Sequence, residues 1–374
     1  MLKLLHIADL HLDSRFSGIP LSESVKRRAA LREVFKNALA LAKREGCVAT
    51  LICGDLFDGE YYTSDTLRFL KECFASMPEH KFIITPGNHD PYSATSPYRY
   101  ADFPNNVYIF KYEELSCLSL NDIGINIYGY AFTSQIYRQS PLNGFAGAIE
   151  NGNFNILCAH TELNGVASPY APISVGELER YGFDYAALGH IHTDGAEGKA
   201  GHTVYAYSGC IAGRDFSEHG EKGGIILTLD RSGGQKLANI TRVKLCPWVY
   251  ETAAVSVDGA ASTEAAFEMI HGELSARGVS GERIIRLRLT GAIEAPLDTE
   301  LLLSRLAPLG VTEIKDSTTL SFASLGLDND FSLRGAFYKT LKDKLTSSDP
   351  EVQRNASLAL QLGLTALNSG EIDI

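Results

Sequence analysis

Along the first two thirds of the chain one pattern recurs: a short apolar run, rich in β-branched residues, ends in a cluster of Asp, His, Asn and Gly. LKLLHI runs into Asp9-Leu10-His11, ATLIC into Gly54-Asp55, and KFIIT into Gly87-Asn88-His89-Asp90. NFNILCA ends at His160, and YAAL leads to Gly189-His190-Ile191-His192. Continuous apolar runs of this length predict strands buried on both faces. Between the first two lies SESVKRRAALREVFKNALALAKREG, which puts Leu31, Val34, Phe35, Ala38 and Leu41 on one helical face with Gly46 as its stop. Residues 64–77 read as a second helix, closed by Pro78. Strands alternating with helices predict stacked α/β layers, and polar clusters at the ends of buried strands are where such folds build sites.

Past Gly209 the strand pattern continues in GGIILTLD and then changes near Trp248. VYETAAVSV alternates, residues 262–277 read as a helix, RIIRLRLTG alternates again, and a helix over 297–306 precedes VTEIKDS. This β-α-β-α-β order predicts a small α+β unit. Two amphipathic helices follow over 331–346 and 349–367, the second with Asp349 as N-cap and Pro350 at its first position. Leu333, Phe337, Leu341 and Leu345 form one apolar stripe, and Leu360, Leu364 and Leu367 a second. The expected domains are therefore 1–245, 246–328 and 329–374. A length of 374 residues exceeds what one hydrophobic core usually holds, which agrees with that division.

Composition narrows the class. Hydrophobic residues at 45% and charged ones at 21% fit a globular protein, and no apolar run approaches the ~20 residues of a membrane span. The opening MLKLLHIADLH is interrupted by polar groups at once, so no secretory signal is expected. Seven cysteines without a CxxC pair, several inside apolar runs, point to reduced thiols and a cytoplasmic location. The net charge of −11 excludes a general nucleic-acid sponge, so any nucleic acid must be held locally. Lys26-Arg27-Arg28 is the one basic turn that resembles a DNA patch, although such a turn is usually a solvated helix face.

The clusters supply the chemistry. They contain four carboxylates, five histidines and one asparagine of interest, in five places that an α/β sheet brings to one edge. Mixed carboxylate, imidazole and amide donors suit two divalent ions such as Mn²⁺, Fe²⁺ or Zn²⁺ better than Ca²⁺, which prefers oxygen alone. His89 directly follows Asn88, so its imidazole should project beside such a centre as a general acid. Arg214, in GCIAGRDFSEH, either binds a substrate phosphate as a fork or pairs with Asp215 or Glu218.

Taken together, Asp9-x-His11, Gly54-Asp55-x-x-Asp58, Gly87-Asn88-His89-Asp90, His160 and Gly189-His190-x-His192 resemble the five motifs of calcineurin-like metallophosphoesterases, over about residues 1–230. Within them IADLHLD, ALGHIH and YSGC…EKGGIILTLD are similar to the SbcD-type DNA exonucleases, the YhaO-like branch in particular. The resemblance implies an α/β fold, two sheets face to face in an α/β/β/α sandwich, followed by the α+β cap and the terminal helices. It assigns one metal to Asp9, His11, Asp55 and His192 and the second to Asp55, Asn88, His160 and His190, with Asp55 bridging. It also implies that Asp58 pairs with His89, that the working ion is Mn²⁺, and that the substrate is DNA. The partners it implies are a second copy of the chain and an SbcC-like coiled-coil ATPase gripped by the terminal helices.

Departures from the pattern carry information as well. Gly59-Glu60 stand where the protein Ser/Thr phosphatases carry an Arg that holds a monoester, which counts against a phosphoprotein phosphatase. Asp58 stands where some relatives of the exonucleases have His, and Tyr62-Thr63-Ser64 replace a common Pro-Ser segment. Two other readings compete with the nuclease: a phosphodiesterase for small nucleotides or lipid headgroups, and a non-catalytic scaffold of the same fold.

Overall fold

Strands β1 (Leu2–Ile7), β2 (Ala49–Cys53), β3 (Lys81–Thr85) and β4 (Val107–Ile109) run parallel and side by side in the computed structural model. The structure describes residues 1–16, 21–59, 62–165, 167–193, 196–277, 283–321 and 326–369. Of the residues read above, Glu60 and the last five positions of 329–374 lie outside these. The described chain divides into two compact units, Met1–Val249 and Tyr250–Ile374.

The second sheet of the first unit is built from β5 (Ser116–Leu120), β6 (Ile125–Gly129), β7 (Phe154–His160), β8 (Tyr185–Gly189), β9 (Glu197–Ala200) and β10 (Thr203–Tyr207). Its order is β5-β6-β7-β8-β10-β9, parallel at the centre with antiparallel edge strands. Two late strands, β11 (Gly223–Ser232) and β12 (Gln235–Lys244), return to the first sheet and extend it antiparallel from β1. Leu4, Leu51, Cys53 and Ile83 of one sheet face Ile127, Ile156, Cys158 and Ala187 of the other in a shared core. This burial on both faces is why the strands read as continuous apolar runs.

The outer face of the first sheet is covered by α1 (Leu21–Arg44) and α2 (Ser64–Ala75). Leu31, Val34, Phe35, Ala38, Leu39 and Ala42 are the apolar residues that α1 buries, and Leu41 is only half-buried. Lys26 and Arg27 lie against Glu23 on the same helix, 3.6 and 3.8 Å from its carboxylate. A short α3 (Pro97–Tyr100) follows the third motif. The second sheet is also covered on its outer face, by a short helix and loops. Its outer core joins Leu157, Ala186 and Leu188 to Leu178 of the six-residue α4 (Val175–Arg180), and the rest comes from loops that supply Phe132, Leu142, Ala171 and Ile173.

In the second unit, β13 (Val249–Ser256), β14 (Arg283–Thr290) and β16 (Val311–Asp316) form a three-stranded sheet, with β14 and β16 parallel. Helices α5 (Thr263–Ala276) and α6 (Thr299–Leu306) bury Ile270, Leu274, Leu302 and Leu306 against Val255, Ile285, Leu287 and Leu289. A small parallel pair, β15 (Ala292–Ile293) with β17 (Thr319–Leu320), sits beside it. The two final helices, α7 (Leu333–Leu345) and α8 (Pro350–Ser369), pack on each other. Their contact uses Tyr338, Leu360 and Leu364, with Phe337, Leu341 and Leu345 of the expected stripe packed against them, while Leu333 and Leu367 point outward. The Phe337 ring lies 2.0 Å from where a Cβ on Gly363 would stand, so the helices meet closely there. Asp349 does start α8, accepting a hydrogen bond from the backbone N–H of Glu351 at 2.9 Å.

Candidate metal centre

The five motifs all emerge at the carboxyl ends of β1, β2, β3, β7 and β8, neighbouring strands of the two facing sheets, and so converge. The turns that carry them are strained. Asp9, His11, Asp55 and His190 have positive φ of 51, 46, 52 and 103°, a region that side-chain-bearing residues seldom enter and that clusters at functional sites. Glycines make the convergence possible. Gly54 has φ +89° and a Cβ there would lie 2.0 Å from His160 Nδ1, while one on Gly87 would lie 2.2 Å from Asp55 Oδ1.

Asp9, His11, Asp55 and His192 offer ligand atoms that all lie within 4.8 Å of one another, the four residues of the expected first set. Of the second set, His160 Nε2 is 2.9 Å from Asn88 Oδ1 and 3.4 Å from Asp55 Oδ2. The His190 ring packs edge-on to that of His160, 5.1 Å between centroids, and its backbone N–H donates to Asp9. Asp55 borders both groups, with Oδ2 3.8 Å from His11 Nε2 and Oδ1 held by the backbone N–H of His89 at 2.9 Å.

Proton positions in this cluster show what it is built for. His160 Nδ1 donates to the carbonyl oxygen of Cys53 at 3.0 Å, so its Nε2 carries a lone pair. His192 Nδ1 donates to the buried Glu218 carboxylate at 2.8 Å, and His11 Nδ1 faces Asp58 Oδ1 at 3.3 Å, off the axis of a hydrogen bond. The free end of the His160 ring therefore faces another acceptor: its Nε2 stands 3.4 Å from Asp55 Oδ2, which is buried without any hydrogen-bond donor, while His11 Nε2 lies 3.1 Å from His192 Nε2. Lone pairs and a carboxylate oxygen facing each other repel unless cations join them. Burial drives the same conclusion electrostatically. It pushes the Asp9 carboxyl up to about 6 and Asp55 well above the usual range, where Asp90 and Asp9 add repulsion. It pushes His11 down to about 3, His190 to about 4, and His160 well below the ordinary imidazole value. The residues fit a pair of divalent ions.

Beside the ligands, His89 is 45% exposed in its side chain, and its Nδ1 lies 3.2 Å from Asp58 Oδ1. Burial alone would raise the Asp58 carboxyl, but His11, His89 and the Ser14 hydroxyl hold it well below the ordinary range. Asp58 thus serves two imidazoles, where the sequence had suggested one. Arg214 pairs with Glu218 (Nη2 to Oε1 at 2.6 Å) and also reaches Ser14 Oγ at 3.2 Å, with Asp58 Oδ2 3.8 Å away.

Sequence reasoning named two carboxylates without seeing their supporting roles. Asp90 is buried and accepts from the backbone N–H groups of Gly87 and Phe57 and from the Tyr98 hydroxyl, which fixes the loop that presents Asn88 and His89. It stands in the third motif, so its position was visible and its role was not. Glu218 was visible only as a partner for Arg214, a pairing the structure shows; its contact with His192, 26 residues away, had no signal.

Comparison with known proteins agrees with this geometry. The family profile of calcineurin-like phosphoesterases matches residues 2–194. The chain is similar to a protein of Bacillus subtilis (strain 168) described as "Uncharacterized metallophosphoesterase YhaO", 30% identical over 318 residues, which cover 80% of this chain and 75% of that one. It is also similar to proteins described as "DNA double-strand break repair protein Mre11". The one from Saccharolobus solfataricus is 25% identical over 52% of this chain and 50% of its own length. The one from Methanopyrus kandleri is 22% identical over 69% of this chain and 60% of its own. Against both Mre11 proteins, the chain spans less than two thirds of the relative's length.

Proposed function

This chain belongs to the calcineurin-like phosphoesterase family and is a metal-binding phosphoester hydrolase; on that premise we propose that it is a DNA phosphodiesterase, an exonuclease of DNA repair or processing, with Mn²⁺ as its working ion. The observation that carries the reading is His89. It is exposed where every ligand beside it is at least half-buried, and it is paired with a carboxylate. A phosphodiester leaves an alkoxide, which needs a proton at neutral pH, and an aimed imidazolium supplies it.

Two divalent ions, when bound, supply polarisation of the phosphate and an activated water. Asp9, His11, Asp55 and His192 would hold one, and Asp55, Asn88, His160 and His190 the other. Asp58, 3.2 Å from His89 Nδ1, fixes the direction of its ring. Arg214 stands close enough to Asp58 to share in placing a phosphate. Similarity to the two Mre11 proteins favours DNA over small phosphodiesters, and so does a second compact unit suited to a long polymer.

The same reading extends to assembly and place. Phe331, Leu333, Leu358 and Leu362 are exposed at 98, 69, 53 and 41%, apolar side chains of the terminal segment on which a coiled-coil ATPase of the SbcC kind would dock. A homodimer is the expected oligomer. Seven free cysteines suit the reducing cytoplasm, and among the described residues no helix is long and apolar enough to cross a membrane.

Incubation with Mn²⁺ and end-labelled linear DNA, alongside cyclic nucleotides and an aryl phosphodiester, tests the substrate. Labelled nucleotide should be released from DNA faster than any cyclic nucleotide is opened. Hydrolysis of cyclic nucleotides with intact DNA would move the assignment to small-molecule phosphodiesters. A metal-loaded protein that cleaves nothing would make it a scaffold.

A further inference from the structure

The segment between β10 and β11 is organised around one metal-ligand candidate, His192. The carbonyl oxygen of His192 accepts from Lys222 Nζ at 2.9 Å and from the backbone N–H and the thiol of Cys210, both at 3.2 Å. Its ring is fixed from the other side by Glu218, whose Oε1 takes Nδ1–H at 2.8 Å. Glu218 is only 3% exposed and Lys222 only 4%, so neither charge is spent on solvent. Burying a carboxylate is costly unless its partners are complete, and here they are. Arg214 donates to it from the backbone N at 2.7 Å, from Nε at 3.1 Å and from Nη2 at 2.6 Å.

We propose that Glu218 is a positioning residue of the metal centre: it holds His192 in the Nδ1–H tautomer with Nε2 turned to the ion, and Arg214 locks Glu218 in that place. The inference rests on His192 being a ligand, as read above. An imidazole can bind an ion only through a nitrogen without a hydrogen, so the tautomer decides whether His192 ligates at all. Without Glu218, the Arg214 Nη2 group, 3.2 Å from His192 Nδ1, would be left as its neighbour. Donation from Arg214 would then select the opposite tautomer and place a hydrogen on Nε2, facing Asp9 Oδ1 at 3.6 Å. The glutamate therefore sets the direction of the ring and also shields it from the wrong donor. The remaining donor of Arg214, Nη1, reaches Ser14 Oγ at 3.2 Å, which in turn donates to Asp58 Oδ2 at 2.6 Å. One polar path thus runs from a ligand of the first ion to the carboxylate beside His89.

Calorimetric titration of Mn²⁺ into the metal-free full chain tests this, together with the melting temperature before metal is added. Three variants are compared with the wild type: Glu218→Gln, His192→Ala, and the double variant Arg214→Met/Glu218→Ala, which removes both members of that ion pair together. Loss of an outer partner of a ligating histidine typically lowers metal affinity roughly 10–100-fold. Glu218→Gln should fall near the lower end of that range and the double variant near the upper. Only one of the two Mn²⁺ affinities should drop, the one that His192→Ala abolishes, with the metal-free melting temperature of Glu218→Gln unchanged. If both Glu218 variants keep both affinities while His192→Ala loses one, Glu218 has no positioning role. If both affinities fall together with the melting temperature, its role is structural and the proposal is overturned. If His192→Ala loses neither ion, the ligand assignment has failed, and the inference fails with it.

Discussion

His89→Asn should keep both metal ions yet lose roughly 10²–10⁴-fold in turnover on DNA, the usual worth of a general acid. The ions should stay because the part of residue 89 that supports them is its backbone: the N–H donates to Asp55 Oδ1 at 2.9 Å, and any side chain preserves it. What is lost is the imidazole 3.2 Å from Asp58, the group able to protonate the leaving oxygen. Asp58→Asn should lose less, since charge and direction weaken while the donor remains. Rates on a nitrophenyl phosphodiester separate proton donation from mere contact with phosphate. Nitrophenolate leaves without help, so the His89→Asn rate should recover much of its deficit on that substrate. An equal deficit on both substrates would make His89 a phosphate-positioning residue.

A larger loss is expected at Asp55. Its two oxygens face different partners, Oδ1 the His89 amide and Oδ2 the Nε2 atoms of His160 and His11 at 3.4 and 3.8 Å. An amide in its place removes the charge and offers only one oxygen, so a shared ligand becomes at best a single one. Loss of paired-metal stabilisation amounts to several kcal/mol, which corresponds to a fall of roughly 10³-fold or more in turnover. The fold should respond in the opposite sense. Burial pushes the Asp55 carboxyl far up, and Asp90 and Asp9 beside it add repulsion, so a neutral side chain relieves both costs. Metal-free Asp55→Asn should melt no lower than the metal-free wild type, and the rise in melting temperature on adding Mn²⁺ should largely vanish. Metal content and paired melting curves check both halves. Two tightly held ions with full turnover would remove Asp55 from the bridging role.

The residues that converge were legible because each sits directly after an apolar run, and a run buried on both faces can only end at a sheet edge. Periodicity carries less information where a side has no neighbour named in the sequence. The leucine stripe of α7 and α8 was right in kind, but nothing local shows that Tyr338 turns inward while Leu333 faces outward. The loops over the second sheet were equally hidden, since Phe132 and Leu142 have no helical or strand period. Glu218 marks the sharper limit. Its importance comes from meeting a histidine on another loop, and sequence spacing cannot express that contact. Asp58 shows a middle case: the motif exposed it, while its second partner, His11, depends on how the strained turn after β1 folds back.

Anomalous diffraction from Mn²⁺-soaked crystals measures the metal centre most directly. Two peaks should appear ~3.5–4 Å apart, the spacing of two-metal hydrolytic sites. One should be ringed by Asp9, His11, Asp55 and His192 and the other by Asp55, Asn88, His160 and His190. A single peak, or two peaks that do not share Asp55, would contradict the dinuclear centre.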